Sequence, residues 1–271
     1  MATADIVRAP LAAHNGDYGY DAPYALLGFA VAAVVSIVLF IAGLRLHERS
    51  LIRVGTIYGA IFVLFTVSFW YTTRRGKFVE WARVLAGLGI RGDERVLDLG
   101  CGRGAVLTMV ARCLTSGRAT GIDIWNTTDQ SGSSAARCRE NAAREGIADR
   151  VTLATADMRD LPFAAGSVDL VVSSLAIHNI RLAADRAQAL AEAVLVLAPG
   201  GRLAIADIKH TRSYAKELSR LGLLDVTRRS LGWRFWYGNP IAATSLVTGR
   251  KPVPVASLQL PAASVRLPAS S

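Results

Sequence analysis

The chain has 271 residues, 52% of them apolar, with 31 Lys or Arg against 21 Asp or Glu and a formal charge of +10. Its three cysteines, Cys101, Cys113 and Cys138, are odd in number and unpaired in spacing, which argues against a disulfide framework or a cysteine metal site. Its four histidines are scattered, so no metal is expected. A basic chain raises the question of nucleic acid, but no zinc-finger, helix-turn-helix or aromatic RNA-binding pattern accompanies the charge, and no nucleic-acid partner is expected.

Residues 1–23 are polar and read as a mobile tail. Residues 24–44 and 54–73 then carry no charged residue at all. Each run is close to the ~20 residues that cross a bilayer as a helix. The alternative, two buried helices of a soluble core, is disfavoured by uncharged runs of this length. A cleaved signal peptide is also disfavoured, because the first run starts late and follows acidic Asp17 and Asp21. The short connection RLHERSLIR, 45–53, predicts an antiparallel transmembrane hairpin over 24–73. Tyr24 and Trp70–Tyr71 sit where an interfacial aromatic belt would place them. Residues 45–83 hold seven Lys or Arg against two Glu, a balance that suits anionic lipid headgroups as partners. A second basic block, 209–251, reads equally as a solvated surface. Residues 74–92 place Phe78, Trp81, Leu85 and Leu88 at helical spacing, which predicts a linking helix that covers one side of the following domain.

Residues 93–251 alternate short apolar strands with helical stretches, the pattern of an α/β domain with a mostly parallel sheet. RVLDLGCGRGA, 95–105, ends a strand at Asp98 and turns through Gly100, Gly102 and Gly104. Such a turn lets a nucleotide-type ligand lie against bare backbone. Gly100, Gly102 and Ala105 also fit the dinucleotide fingerprint, so the turn alone leaves a nicotinamide cofactor open. RATGIDI, 118–124, ends a second strand with Asp123, 19 residues beyond Gly104 and suited to vicinal ribose hydroxyls. VTLATAD, 151–157, SVDLVVSSLAIHNI, 167–180, and VLAPGGRLAIADI, 196–208, supply three more strands. Asp98, Asp123, Asp157 and Asp207 therefore share the carboxyl edge of one sheet.

The segments VLDLGCGRG, GIDI, ATADMRDLPF and VLAPGGRLAIAD together resemble the class I S-adenosylmethionine-dependent methyltransferases over roughly residues 80–250. The resemblance implies a Rossmann-like, seven-stranded, mostly parallel sheet with helices on both faces, here preceded by two transmembrane helices. It implies S-adenosylmethionine as cofactor. By this resemblance Asp98 faces the methionine ammonium, and Gly100, Cys101, Gly102 and Gly104 admit the methionine and ribose. Asp123 holds the ribose hydroxyls, with Ile124 and Trp125 beside the adenine. Asp157 accepts from the adenine amino group, Met158 offers its backbone amide, and Ser174 closes the set. Trp125 is open to a second reading as simple core packing. The absence of a pyrophosphate in this cofactor agrees with a site made of acids rather than a phosphate cradle.

The family lines its acceptor pocket after the fourth strand, where this chain has SSLAIHNI, 173–180. His178 is the candidate base, because its pKa lies near neutrality, and Asn179 could orient the acceptor. His178 could instead cap the strand end. The segment lacks the Asn-Pro-Pro-aromatic pattern of methylases that act on amino nitrogens. NTTDQSGSS, 126–134, is a polar loop able to fold over the site. Trp233, Phe235, Trp236 and Tyr237 could grip an apolar acceptor, touch the membrane interface, or pack beneath the last strands. TSLVTGRK, 244–251, suits the family's last, antiparallel strand. Residues 252–271 are rich in Pro, Ala and Ser and read as a flexible tail.

The expectation is an integral membrane methyltransferase acting on a small lipophilic acceptor, with the catalytic domain on the cytoplasmic side, where the methyl donor is made. The basic residues pull the orientation both ways, since Arg45, Arg49 and Arg53 lie between the spans and Arg74, Arg75 and Lys77 follow them. Two full spans are preferred to a shallow re-entrant hairpin. The rivals are a protein or soluble metabolite as acceptor, a dehydrogenase, and a cofactor-binding module without turnover.

Overall fold

The computed structural model describes residues 11–126 and 130–254. Seven strands form one sheet: β1 (Arg95–Leu99), β2 (Arg118–Asp123), β3 (Val151–Thr155), β4 (Val168–Ser174), β5 (Leu197–Asp207), β6 (Leu224–Ser230) and β7 (Ser245–Arg250). Their order is β3-β2-β1-β4-β5-β7-β6. The first five run parallel, and β7 runs antiparallel to both β5 and β6. β1 pairs with β2 on one side and with β4 on the other, so the strand order reverses there. Open α/β sheets hold their ligands outside the carboxyl ends of the strands at such a switch point.

Strand alternation divides β1 between two cores. Val96 joins the face that holds Trp81, Leu107 and Cys138, whereas Leu97 and Leu99 join the face that holds Leu190 and Leu218. The helices over these faces are α4 (Ala105–Arg112) and α5 (Ala135–Arg144) on the first, and α6 (Ala183–Val196) and α7 (Thr211–Arg220) on the second. The sequence reading assigned no strand to 224–230. β6 is an exposed edge strand, and LDVTRRS carries the charge that edges use against mispairing rather than an apolar run.

The two uncharged runs form α1 (Pro23–Leu46) and α2 (Arg49–Tyr71). They approach through small residues. A Cβ on Gly55 would lie 2.5 Å from the Phe40 nitrogen, and one on Gly43 would lie 2.7 Å from the Ile52 nitrogen. The large apolar side chains point the other way, and Leu27, Val34, Val38, Leu64 and Val67 are all more than half exposed.

Two expectations need correction here. The segment expected to be a linking helix over 74–92 is helical over Lys77–Gly87, and the correction is to its start, which is continuous with the hairpin. α2 passes through a π-helical turn, Thr72–Gly76, directly into α3 (Lys77–Gly87). No proline or capping side chain interrupts it, and the wide turn absorbs the change in register. Gly76 is needed there, because a Cβ would collide with the Arg234 carbonyl oxygen. Thr72 Oγ1 also donates to the Trp236 carbonyl at 2.6 Å. The hairpin is thus bolted to the turn that follows β6.

The second correction concerns the amino-terminal segment. Residues 11–22 are a strap packed on the domain. Tyr18 is buried, and its hydroxyl lies 2.7 Å from Thr108 Oγ1. Asp17 pairs with Arg103 Nη2 at 2.7 Å, which joins the strap to the glycine turn. The polar side chains that suggested a free tail are the ones that hold it down. Residues 1–10 and 255–271, with most of the expected carboxy-terminal tail, lie outside the described residues.

Candidate active site

The turn after β1 has the strained backbone that its glycines predict. Gly100 and Gly102 adopt φ of 71° and 51°. A Cβ on Gly100 would meet Ala176 Cβ at 2.3 Å, and one on Gly102 would meet Gln130 Oε1 at 2.5 Å. Gly104 has a different duty. It lies outside the cavity wall, and its bare Cα admits Cys138 of α5, whose sulfur would be 2.6 Å from a Cβ. Cys101 lines the cavity as a small buried group. Contact with the Cys138 thiol and burial push its own thiol pKa up, so it is inert.

Asp98 is 1% exposed, and neither carboxylate oxygen has a hydrogen-bond partner among the described residues. Burial, reinforced by the nearby Asp123 carboxylate, pushes its pKa up to about 8. A buried acid facing a cavity without a partner is costly unless a cation or donor arrives. Asp123 is already anchored. It accepts from the Gly102 amide at 2.8 Å and the Trp125 amide at 2.6 Å, which fixes the turn and the strand end together. Ile124 lies on the cavity wall and is 64% exposed. Trp125 does not line the cavity. With φ of 60° it turns away, donates from Nε1 to Thr155 Oγ1 at 2.8 Å, and packs on the core. The apolar side chain on the cavity wall at this strand end is Ile124.

Asp157 and Met158 also line the cavity. The Asp157 carboxylate is gripped by Arg159, whose Nη2 approaches to 2.5 Å, and these hydrogen bonds hold its pKa below the usual carboxylate range. A second carboxylate, Asp185, holds the other side of Arg159 at 2.9 Å. Asp157 keeps lone pairs with which it could accept from a ligand, as the resemblance implies for it. Ser174, at the end of β4, receives a hydrogen bond from Trp81 Nε1 at 3.0 Å, and both line the cavity. The segment 74–92 therefore does cover the site from one side.

His178 lies in a short 3-10 turn, Ile177–Asn179, beyond β4, and Asn179 lines the cavity beside it. The preceding Leu175 has φ of 57°, a strained conformation of the kind that clusters at functional sites. His178 Nδ1 is 2.6 Å from Asp207 Oδ1, close in distance though off the line of an ideal hydrogen bond. The His178 amide donates to Asp207 Oδ2 at 3.0 Å, and the Ile208 amide donates to Oδ1 at 2.8 Å. Asp207 is fully buried at the end of β5. Sequence reasoning noticed this acid as one of four strand ends, but nothing in the spacing joined it to His178.

The cavity measures about 830 Å³ and extends beyond these residues. Its far half is walled by Ala25 and Phe29 of α1, Phe69 of α2, Phe78 of α3, and Tyr237. Tyr237 donates to Asp21 Oδ2 at 2.8 Å, and Lys77 Nζ contacts the same oxygen at 2.8 Å. Gln130 Nε2 donates to Asp21 Oδ1 at 3.2 Å, while Gln130 Oε1 accepts from the Arg103 amide at 2.9 Å. The end of the polar 126–134 loop thus rests on the glycine turn, whereas residues 127–129 lie outside the described set. Of the late aromatic group, Phe235 is buried core, Tyr237 faces the cavity, and exposed Trp233 stacks on Tyr71 at the root of the hairpin. Of the residues gathered here, Tyr237 belongs to the aromatic group that the sequence offered for an apolar acceptor, whereas Asp21, Lys77 and Gln130 were not named as site residues, because no motif links positions so far apart.

Residues 97–205, from β1 to β5, match the family described as a methyltransferase domain. Among curated relatives, the chain is 35% identical over 124 residues to the 27-O-demethylrifamycin SV methyltransferase of Amycolatopsis mediterranei (strain S699), covering 45% of this chain and 42% of that one. It is 34% identical over 151 residues to the demethylmenaquinone methyltransferase of Tropheryma whipplei (strain Twist), covering 55% and 57%. The chain thus spans about half the length of the curated relatives it matches. Its fold is similar to that of geranyl diphosphate C-methyltransferase from Streptomyces coelicolor A3(2), with a TM-score of 0.54, 17% identity, and coverage of 67% and 82%. Residues 97–205 are thus similar in sequence to a methyltransferase domain, and the seven-stranded sheet has the fold of the solved methyltransferase it resembles.

Proposed function

We propose that this chain transfers a methyl group from S-adenosylmethionine to a small, lipophilic, membrane-resident acceptor. The observation that carries the reading is Asp98, a buried carboxylate left without a partner at the mouth of a glycine turn. The methionine ammonium of the cofactor meets that need. The bare backbone at Gly100 and Gly102, the anchored Asp123 and the apolar Ile124 suit its methionine, ribose and adenine parts.

When bound, the cofactor supplies an electrophilic methyl on a sulfonium. The chain's own task is to place the acceptor in line with it and to remove a proton, and positioning alone can supply much of the acceleration. His178 is the proposed base. An Nδ1 proton held toward Asp207 leaves Nε2 free to take a proton from an acceptor hydroxyl or acidic carbon. Asn179 is placed to orient that acceptor. Arg159 ties Asp157 to Asp185 and so steadies the cavity rim.

The hairpin supports the membrane part of the reading. α1 has 24 residues, about 36 Å at 1.5 Å per residue, against a hydrocarbon core of about 30 Å. Its outward surface is apolar and uncovered, which water disfavours and lipid does not. Both helices meet the domain at the same end, so two spans leave the catalytic domain on one face, proposed to be cytoplasmic, and Arg45 and Arg49 at the other. The relatives named for methylating a demethylrifamycin and a demethylmenaquinone fit a small-molecule acceptor. Calorimetric titration of S-adenosylmethionine and of NADH into the full chain in detergent tests the cofactor reading. Micromolar binding of the first, lost in Asp123→Ala, is expected. Binding of NADH alone, or of neither ligand by folded protein, refutes it.

A further inference from the structure

The far half of the cavity has a chemistry of its own. Its walls are aromatic and continuous with the hairpin. Phe29, Phe69 and Tyr237 line it, and the run of rings continues behind the wall to Phe65 at one end and buried Phe235 at the other, with successive centroids 5.1 to 6.1 Å apart. Within this apolar wall sits one ion pair, Lys77–Asp21, with side chains 6% and 14% exposed. A pair this deep gives back in attraction little more than it loses in desolvation, and a plain apolar pairing would serve the fold as well. Its position in the cavity supplies a reason for it.

Asp21 is saturated. It accepts from Lys77, Tyr237 and Gln130. Lys77 is not. An ammonium has three donors, and Asp21 is its one hydrogen-bonding partner among the described residues, with the Phe78 ring 5.5 Å away. The remaining donors belong to a residue that lines the cavity. The cluster is neutral as a whole, since the carboxylate cancels the ammonium. A phosphate or carboxylate headgroup would bring a second anion against Asp21, whereas a carbonyl or hydroxyl oxygen would take a hydrogen bond without that repulsion.

We infer that Lys77 is the residue that reads the acceptor's headgroup, and that the headgroup is an uncharged oxygen, a carbonyl, enol or phenol, on a molecule whose hydrocarbon part lies against Phe29 and Phe69. The hairpin is then one wall of the acceptor site as well as an anchor. As the acceptor loses its proton, the oxygen gains negative charge, and the nearby ammonium stabilises it. This inference rests on the methyl-transfer reading above and narrows its acceptor class.

The test uses the full chain in nanodiscs, saturated with S-adenosylhomocysteine, and two probes with the same tail: a farnesylated hydroquinone and farnesyl phosphate. Binding is read by calorimetry for the wild type, Lys77→Arg, Lys77→Met, and the double variant Lys77→Met with Asp21→Asn. The double variant leaves no lone buried charge: the new amide offers its oxygen to Gln130 and its NH2 to the Tyr237 hydroxyl, which can turn to accept. The wild type is expected to prefer the hydroquinone. The double variant is expected to keep its unfolding temperature and its affinity for the cofactor product, yet to lose about tenfold to a hundredfold in hydroquinone affinity, the worth of a hydrogen bond to a charged group. Lys77→Arg recovers part of that loss. Equal hydroquinone affinity in the double variant makes Lys77 a structural tie only and overturns the inference. So does a preference for the phosphate, or binding of neither probe by protein that holds the cofactor product. Failure to bind S-adenosylhomocysteine at all is a separate result, which removes the methyl-transfer reading and this inference with it.

Discussion

The two halves of the cavity are built in opposite ways. The strand-end half is assembled from backbone. Gly100 and Gly102 expose it, Asp123 accepts from it, and each residue follows its own strand by a step or two. The hairpin half is assembled from side chains that come from the strap, two hairpin helices, α3 and the turn before β7. The first is written locally in the chain. The second exists only once residues 21, 77 and 237 are brought together. A site made from backbone conformation needs only its own strand and turn, whereas a site made from distant side chains needs the whole fold in place.

The sharpest way to break this contrast is at Asp98. Its carboxyl has a folded-state pKa of about 8, far above the usual value, because it is buried without a partner. The folded protein therefore holds a proton that the unfolded chain releases near pH 4. Stability without ligand falls as pH rises from about 4 to about 8, then levels off. Asp98→Asn should flatten that slope and raise stability at neutral pH by about 2–4 kcal/mol, within the range that such a shift represents. The same substitution should weaken S-adenosylmethionine binding about a hundredfold or more, since it removes a buried charge from a charge pair. Unfolding curves at pH 5 and pH 8, with calorimetry on both proteins, check the two signs together. Binding by the wild type at pH 7 should also release close to one proton, visible as a dependence of the heat on the buffer.

Next in size is the base. His178→Gln should slow methyl transfer by about 10²–10⁴-fold while cofactor affinity stays within about twofold. A kcat that survives the change makes His178 a cap on the β4 end, the other role open to it. A smaller effect is expected at Gly100→Ala. The added Cβ meets Ala176 at 2.3 Å, at a φ of 71°. The strain should cost about 1–3 kcal/mol of stability and weaken cofactor binding. Unfolding in urea measures the first and calorimetry the second.

What could be read from the chain follows the same division. The sheet, its five parallel strands and the last antiparallel one were visible because apolar runs end in acids or glycines at regular intervals. The hairpin helices were visible because charge is absent from them. The glycine turn, Asp98, Asp123, Met158 and His178 could be named from the chain because each stands at or just beyond a strand end, and all of them line one cavity. The packed strap was not, since Tyr18, Asp17 and Asn141 interlock only across more than 80 residues. The His178–Asp207 contact, with its amide-to-carboxylate hydrogen bond, joins two different strands' ends. The unbroken passage from α2 through a π turn into α3 is a matter of register, which no residue pattern announces.

The smallest expected effect is also the most discriminating for the strand-end half. Two neighbouring residues, Ile124 and Trp125, compete for the place proposed for the adenine. Sequence intuition favours the larger ring, but Trp125 at φ of 60° turns from the cavity and spends its ring nitrogen on Thr155. Ile124 lies on the cavity wall with most of its surface free. Trp125→Phe should therefore leave S-adenosylmethionine affinity within about twofold and lower stability by about 1 kcal/mol, the cost of one side-chain hydrogen bond. Ile124→Ala should do the reverse, with stability nearly unchanged and affinity reduced about threefold to tenfold through lost apolar contact. A large loss of affinity in Trp125→Phe, with Ile124→Ala silent, would mean that the strand end rotates when the cofactor binds. The backbone-built half of the site would then be the mobile one.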